Sequence, residues 1–242
     1  MKIAVAQTKP VAGDIDSNIK NHLSLTTLAA DHGADIIIFP ELSLTGYVPS
    51  LAKKLATDIN DSRLAVFQQL SDARQISIGV GLPTITAKGI HITMVILQPG
   101  KPRQANSKMY LHADEEPFFV SGDNLPGLII KNTPVALAIC YEISVREHSE
   151  NAHHSGAQLY VASVAKTVKG VEKAWTGLGE IAANFGMMVL MSNSVGLCED
   201  GLCGGKSAAW DEGGTLLGRL DDSSEGILIL DTVTRVVEIK MI

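Results

Sequence analysis

Cysteine is scarce in this chain. Three residues in 242, an odd number, argue against a disulfide framework and suit a reducing compartment. Cys198 and Cys203 share a glycine-rich stretch, but no further Cys or His stands close enough to complete a zinc-type ligand set, so no metal is expected. Long apolar runs are missing too. Ile36-Ile37-Ile38-Phe39 and Val135 to Cys140 fall far short of the roughly 20 residues of a membrane span. The apolar opening, Ile3 to Ala6, is too short for a secretion signal. A soluble, cytoplasmic protein without a membrane partner is the expectation. Basic blocks are absent: 20 Lys and Arg are interspersed with 26 Asp and Glu, for a net charge of -6, and the densest basic spot is Lys53-Lys54. Nucleic acid is therefore excluded as a partner. There is no Gly-x-Ser-x-Gly elbow, since Ser207 sits between Lys206 and Ala208, which removes the usual serine hydrolase. Gly79-Val80-Gly81 lies inside a strand and runs into Leu82-Pro83, with no helix start to cradle a phosphate.

What the chain does have is enough apolar material, 45% of residues, for one large core, and a globular chain of this length buries roughly 70–75% of its unfolded surface. No compositional break divides it, so residues 1–242 are read as a single domain. Short apolar runs rich in β-branched residues predict strands at Ile3 to Gln7, Ile36 to Phe39, Ile76 to Leu82, Ile90 to Gln98, Val135 to Ile139, Leu159 to Ser163, Met188 to Ser192 and Ile227 to Asp231. Several are apolar almost throughout, the mark of strands covered on both faces. Helical spacing predicts helices at Ile15 to Ala30 (Ile15, Ile19, Leu23, Thr26 or Thr27, Ala30), Ser62 to Arg74 (Leu64, Phe67, Leu70, Ala73) and Val171 to Phe185 (Trp175, Leu178, Ile181, Phe185). This alternation means α/β layering. Gly196 to Gly218 holds seven glycines and predicts hairpins and loops at a sheet edge.

Three reactive side chains share one context. Glu41 follows Ile-Ile-Ile-Phe-Pro, Lys108 follows Ala105-Asn106-Ser107, and Cys140 follows Pro-Val-Ala-Leu-Ala-Ile, each straight after a predicted strand. Carboxyl ends of strands in α/β sheets are where ligands bind, and residues far apart in sequence converge there. Taken singly, each has a bland alternative: a packed core cysteine, a turn glutamate and a surface lysine. Cys140-Tyr141-Glu142 followed by Ser144-Val145-Arg146-Glu147 turns a buried strand into a helix. At such a corner, backbone N–H groups are expected to lower the thiol pKa and to hold an oxyanion.

At this point the residues resemble the nitrilase superfamily of carbon-nitrogen hydrolases, in its amidase-like branch. The likeness begins at Ile3-Ala4-Val5-Ala6-Gln7 and runs through Phe39-Pro40-Glu41-Leu42-Ser43-Leu44-Thr45-Gly46-Tyr47, similar to the family's glutamate motif. Lys108-Met109-Tyr110-Leu111 is similar to its lysine motif and Cys140-Tyr141-Glu142 to its nucleophile motif. Asn193, Gly196, Gly205-Lys206-Ser207 and Asp211 resemble its C-terminal pattern. The resemblance implies a four-layer α-β-β-α sandwich, a homodimer across a helical face, and no cofactor or metal. It implies Cys140 as nucleophile, Glu41 as general base and Lys108 as the cation that stabilises the tetrahedral intermediate. Glu115 is implied as a second glutamate through Phe119-Val120-Ser121-Gly122, with its neighbour Glu116 as the alternative. Tyr141, through its backbone N–H, and Tyr47 are the oxyanion and substrate candidates. The acyl pocket is expected near Tyr47 to Leu51, Glu115 to Phe119 and Val164 to Lys169.

The chain also departs from the pattern. An Arg four residues after the nucleophile, followed by Phe-Pro-Glu, is replaced by Ser144-Val145-Arg146-Glu147. A carboxylate-bearing substrate loses its usual support there, unless Arg146 substitutes. Tyr141 stands where nitrilases carry Trp, favouring an amide or carbamoyl substrate over a nitrile. His112 lies close to Lys108 without being the base, and His148, His153 and His154 read as surface or interface residues. The function implied is hydrolysis of a non-peptide carbon-nitrogen bond in a small amide through a cysteine thioester, releasing ammonia or an amine. An N-carbamoyl amidohydrolase, nitrile hydrolysis and a catalytically silent binding or scaffold protein are the alternatives.

Overall fold

In the computed structural model, which describes residues 1–125 and 127–242, the apolar runs form strands and the helically spaced segments form helices. In chain order these are β1 (Lys2–Gln7), α1 (Ile15–Asp31), β2 (Ile36–Ile38), α2 (Ala52–Leu55), α3 (Ala65–Arg74), β3 (Ser77–Thr86), β4 (Gly89–Leu97) and β5 (Gln104–Ser107). The second half continues with β6 (Leu128–Ile130), β7 (Thr133–Ile139), α4 (Arg146–His154), β8 (Leu159–Val164), α5 (Val168–Phe185) and β9 (Met188–Asn193). It closes with β10 (Val195–Cys198), β11 (Gly201–Gly204), β12 (Ala208–Trp210), β13 (Leu216–Arg219), β14 (Gly226–Asp231) and β15 (Val237–Met241). All eight predicted strands are present, as are the three predicted helices. β5, β6 and β15 are additions, short and weakly patterned.

The strands sort into a seven-stranded sheet, β15-β14-β1-β2-β3-β4-β5, and a six-stranded sheet, β13-β12-β9-β8-β7-β6, with β10-β11 as a separate hairpin. The two sheets pack face to face, α1 and α3 cover the first, and α4 and α5 cover the second, giving the four-layer α-β-β-α sandwich. The sequence dictates this because successive strand residues point to opposite faces. Ile3, Val5, Ile36 and Ile38 face the second sheet, while Ala4, Ala6, Ile37 and Phe39 face α1 and α3. A strand covered twice must be apolar at every position. Two buried serines tie the sheets together: Ser163 Oγ donates to the Phe39 carbonyl at 2.8 Å and Ser192 Oγ to the Ala6 carbonyl at 2.6 Å.

The helix faces differ from the periodic reading. In α1 the buried stripe runs through Asn18, Ile19, His22, Leu25, Thr26 and Ala29, so Leu23 and Ala30 sit at its margin. Polar Asn18 and His22 are admitted because their hydrogen bonds are met internally, and both brace the segment that carries Glu41. In α3 Phe67 and Ser71 are buried, whereas Ala73 is exposed. In α5 Val171, Ala174, Leu178, Ile181 and Ala182 are buried, with Trp175 and Phe185 half-buried beside them. Among the described residues no helix is long and apolar enough to cross a membrane.

Candidate active site

Glu41 stands three residues beyond β2, in a turn that the neighbouring strand makes room for. Phe39 N–H still donates to Gly79 O at 2.9 Å, and the chain then climbs over β3, where Leu44 N–H donates to Gly81 O at 2.9 Å. A Cβ at Gly81 would lie 2.5 Å from Leu42 N and 2.6 Å from Pro40 O, so glycine is required there. This is the use of the glycine pair that has no place in a phosphate loop. Leu42 holds a left-handed backbone, φ 51°. From α1, Asn18 Nδ2 donates to Leu44 O at 3.0 Å, and His22 Nε2 lies 2.8 Å from Ser43 Oγ while its ring stacks on Phe39. The carboxylate is thus braced by two elements.

Lys108 ends β5. Its N–H donates to Ile92 O at 2.8 Å, and its own carbonyl accepts from Gly122 N–H at 2.8 Å. The ammonium is 0% exposed and lies 2.8 Å from Glu41 Oε1 and 2.6 Å from Glu115 Oε1. Glu115 is further held by the Tyr47 hydroxyl at 3.0 Å and by His112 N–H, which donates to Oε2 at 2.8 Å. Of the two adjacent glutamates, Glu115 is the buried one and Glu116 is exposed. Tyr47 therefore spends its hydroxyl on Glu115. Burial by itself would weaken the Lys108 hold on its proton, but Glu41, Cys140 and Glu115 outweigh burial and keep its pKa well above the ordinary value. Burial raises the Glu41 pKa, opposed by Lys108. Glu41 Oε2 is buried without a fixed donor, and the Cys140 thiol faces that carboxylate.

Cys140 follows β7 and opens a one-turn 3-10 helix, Cys140–Ser144, ahead of α4. It is 9% exposed, and its φ of 46° is left-handed, a region side-chain-bearing residues occupy at a cost and chiefly at functional corners. Glu142 fastens this corner: Oε2 accepts from Ile139 N–H at 2.7 Å, and Oε1 accepts from Met109 N–H at 2.7 Å and Asn124 Nδ2 at 3.0 Å. One carboxylate thereby ties the nucleophile turn to the lysine turn. The sequence quotes Glu142 within its motif but gives it no such task. The expected lowering of the thiol pKa is not found. Burial pushes it up to about 11, with Glu41 adding to the rise against Lys166 and Lys108. Deprotonation is left to a base rather than to the helix end.

Tyr141 is half-buried, with the His112 ring edge-on at 5.2 Å. His112 itself is exposed and paired with Asp114 at 2.6 Å. His148 is buried, contrary to the surface reading, because Nδ1 lies 2.8 Å from the Tyr160 hydroxyl and Nε2 3.5 Å from Glu142. His153 and His154 are exposed. Arg146 is 86% exposed and paired with Glu150, so it does not replace the missing arginine at the nucleophile.

Lys166, given only as part of a pocket segment, lies two residues beyond the end of β8, and the nearby Cys140 thiol is the main cause of its raised pKa. Asn193, at the end of β9, grips its backbone on both sides, accepting from Lys166 N–H at 2.8 Å and donating to Lys166 O at 3.2 Å. The β10–β11 hairpin adds Gly204 N–H to Lys166 O at 2.9 Å. The glycine-rich segment, expected at a sheet edge, therefore also walls the site. Among the described residues no group of three or more His, Cys, Asp or Glu is placed to hold a metal ion.

The carbon-nitrogen hydrolase family model matches residues 2–239. An (R)-stereoselective amidase from Pseudomonas sp. is 26% identical over 220 residues, spanning 90% of this chain and 80% of that protein. A glutamine-dependent NAD(+) synthetase from Acinetobacter baylyi is 32% identical over 126 residues, which cover 50% of this chain and 23% of the synthetase. Among solved structures, the amidase from Nesterenkonia sp. AN1, with acrylamide added at its active-site cysteine, superposes with a TM-score of 0.87. It is 23% identical, over 97% of this chain and 94% of that one, which bears on the fold.

Proposed function

The chain belongs to the carbon-nitrogen hydrolase family, and from that premise we propose that it hydrolyses a small amide through a thioester on Cys140, releasing ammonia or an amine. One juxtaposition carries the proposal. The Cys140 thiol faces the Glu41 carboxylate, whose other oxygen is locked on Lys108 at 2.8 Å, and Lys108 is in turn locked on Glu115 at 2.6 Å.

A thiol held up to about 11 is mostly protonated at neutral pH, so attack on the amide carbonyl requires a base at the moment of bond formation. Glu41 takes the Sγ proton as the carbon-sulfur bond forms. The carbonyl oxygen becomes an oxyanion, stabilised by the Lys108 ammonium and by Tyr141 N–H, which has no intrahelical partner at the start of its turn. Glu41 returns the proton to the nitrogen, the carbon-nitrogen bond breaks, and the amine leaves. Water then gives a proton to Glu41 while its oxygen attacks the thioester, and collapse expels Cys140 with that proton. Glu115 and Tyr47 hold the ammonium in place rather than touching the acyl group.

Two further parts belong to the same proposal. Residues 1–242 act as one hydrolase domain, supported by β14 and β15 returning to pair beside β1. The protein works in the cytoplasm as a homodimer, supported by three reduced cysteines and the family resemblance; light scattering of the purified chain tests the dimer. The decisive assay is ammonia release from short aliphatic amides. Activity in the wild type and a fall of about 10⁴-fold or more in Cys140→Ala are expected. An active Cys140→Ala protein refutes the nucleophile.

A further inference from the structure

α1 buries an ionisable side chain that the hydrolytic steps leave unused. His22 is 1% exposed. It sits between α1, α3 and the seven-stranded sheet, in a layer made largely of apolar side chains such as Ala4, Ala6, Leu25, Phe39 and Phe67. A polar ring is unfavourable there unless its nitrogens are satisfied. Burial pushes its pKa down to about 3, so the ring is neutral and carries a single N–H. Nδ1 lies 2.7 Å from Asn18 O, a carbonyl that can only accept, which places the proton on Nδ1. Nε2 is then a bare acceptor, and the buried Ser43 hydroxyl donates to it at 2.8 Å.

Ser43 closes the turn that presents Glu41. Its N–H donates to Pro40 O at 3.1 Å, which makes Glu41 and Leu42 the central residues of the turn. Leu42 takes the second central place at φ 51°, where glycine is favoured. A turn strained in this way keeps its shape only when its surroundings fix it. β3 fixes the backbone at either end through Gly79 O and Gly81 O. His22 fixes the fourth residue through its side chain. The ring cannot follow a shift of the turn, because it is tied to its own helix at Asn18, stacks on Phe39 at 4.1 Å and meets Phe67 edge-on at 6.3 Å.

We propose that His22, acting through Ser43, is a positioning residue for the general base: it sets the turn from which the Glu41 carboxylate hangs, so that with Oε1 on Lys108 the other oxygen is presented to Cys140. This inference rests on the hydrolase reading and deepens it. An apolar pair could fill the same space, but only a hydrogen bond gives the contact a direction. His22 packs on Phe39 from the α1 side, whereas Cys140 lies in the layer between the sheets, so the ring acts without touching the substrate. No proton passes through it, since the one it carries is committed to a backbone carbonyl.

The test measures kcat and KM for ammonia release from acetamide, propionamide and butyramide, with thermal melts alongside, in His22→Phe, His22→Gln and the double variant His22→Phe/Ser43→Ala. His22→Phe keeps a stacked ring but leaves the Ser43 hydroxyl buried and unpaired, so a lower melting temperature is expected. The double variant removes both polar partners and is expected to melt close to the wild type, while its kcat falls by about 10–100-fold, the scale of a misplaced catalytic group, at unchanged KM. His22→Gln, whose side-chain amide oxygen can accept from Ser43, is expected to keep most of kcat. A double variant with wild-type kcat overturns the proposal and leaves the hydrolase reading intact. So does a raised KM at unchanged kcat, and so does a kcat that falls only as far as the folded fraction. A folded wild type that releases no ammonia from any of the three amides defeats the hydrolase reading and this one together.

Discussion

The two sheets contribute opposite kinds of chemistry. The seven-stranded sheet supplies Glu41 beyond β2 and Lys108 beyond β5, and the turn after Lys108 adds Glu115; all three are buried, and the ammonium is shared by both carboxylates. The six-stranded sheet supplies Cys140 beyond β7 and Lys166 beyond β8, one a thiol on a left-handed backbone and the other a cation that, among the described residues, forms no salt bridge with a carboxylate. The first half is finished before any substrate binds. The second is completed by the substrate, which offers a carbonyl to the sulfur. A buried charge is tolerable only when paired, and Lys166, half-buried where Glu41, Lys108 and Glu115 are buried, keeps part of its contact with water.

The comparison breaks first at the two lysines. Removing Lys108 leaves two carboxylates facing each other without water, so Lys108→Met is expected to lower unfolding free energy by about 3–5 kcal/mol and to reduce kcat/KM by about 10²–10³-fold as an oxyanion donor. Lys166→Met removes no paired charge and is expected to change stability by less than about 1 kcal/mol. Denaturant titration of both variants decides. Equal losses would mean that the halves are not different in kind.

Next comes the scaffold of the finished half. Gly81→Ala drives a methyl group into Pro40 O and Leu42 N, an overpacking expected to cost about 1–3 kcal/mol and to displace Glu41. Thermal melts and kcat should fall together; unchanged values in both would remove the β3 contact from the account. The smallest effect is a titration. Glu41 helps to raise the Cys140 thiol, whereas Lys166 and Lys108 oppose the rise. The midpoint of iodoacetamide labelling against pH is expected to lie above that of a free thiol in the wild type, because burial and Glu41 raise the Cys140 pKa, and to move down in Glu41→Gln, where the negative charge is gone, and up in Lys166→Met. A midpoint that moves the other way in either protein would show that the sulfur does not sense those charges.

Much of this was legible in the sequence because it rests on local pattern. Doubly covered strands must be apolar at every position, so Ile36-Ile37-Ile38-Phe39 announces both a strand and the layer on each side of it. Glu41, Lys108 and Cys140 follow strands, and strand ends converge. What pattern could not convey was pairing. Nothing in the spacing of Lys166 separates it from a surface lysine; its neighbour Cys140 is brought by parallel pairing of β7 and β8. Glu142 looks like any acid in a turn until the Met109 and Ile139 N–H groups are seen on it. The thiol pKa was misjudged because a strand-to-helix corner suggests stabilised thiolate, whereas burial and Glu41 act the other way. His148 was misplaced because its partner, Tyr160, lies on a strand that sequence spacing does not connect to it.

The central claim is that one sulfur carries the acyl group between the two halves of the reaction. Quenching the protein in acid during turnover of its best amide, then weighing its peptides by mass spectrometry, addresses that claim directly. An increment equal to the acyl group on the peptide containing Cys140, absent from Cys140→Ala, is the predicted result. Steady turnover with that peptide unmodified, or the increment on Cys198 or Cys203 instead, would contradict it.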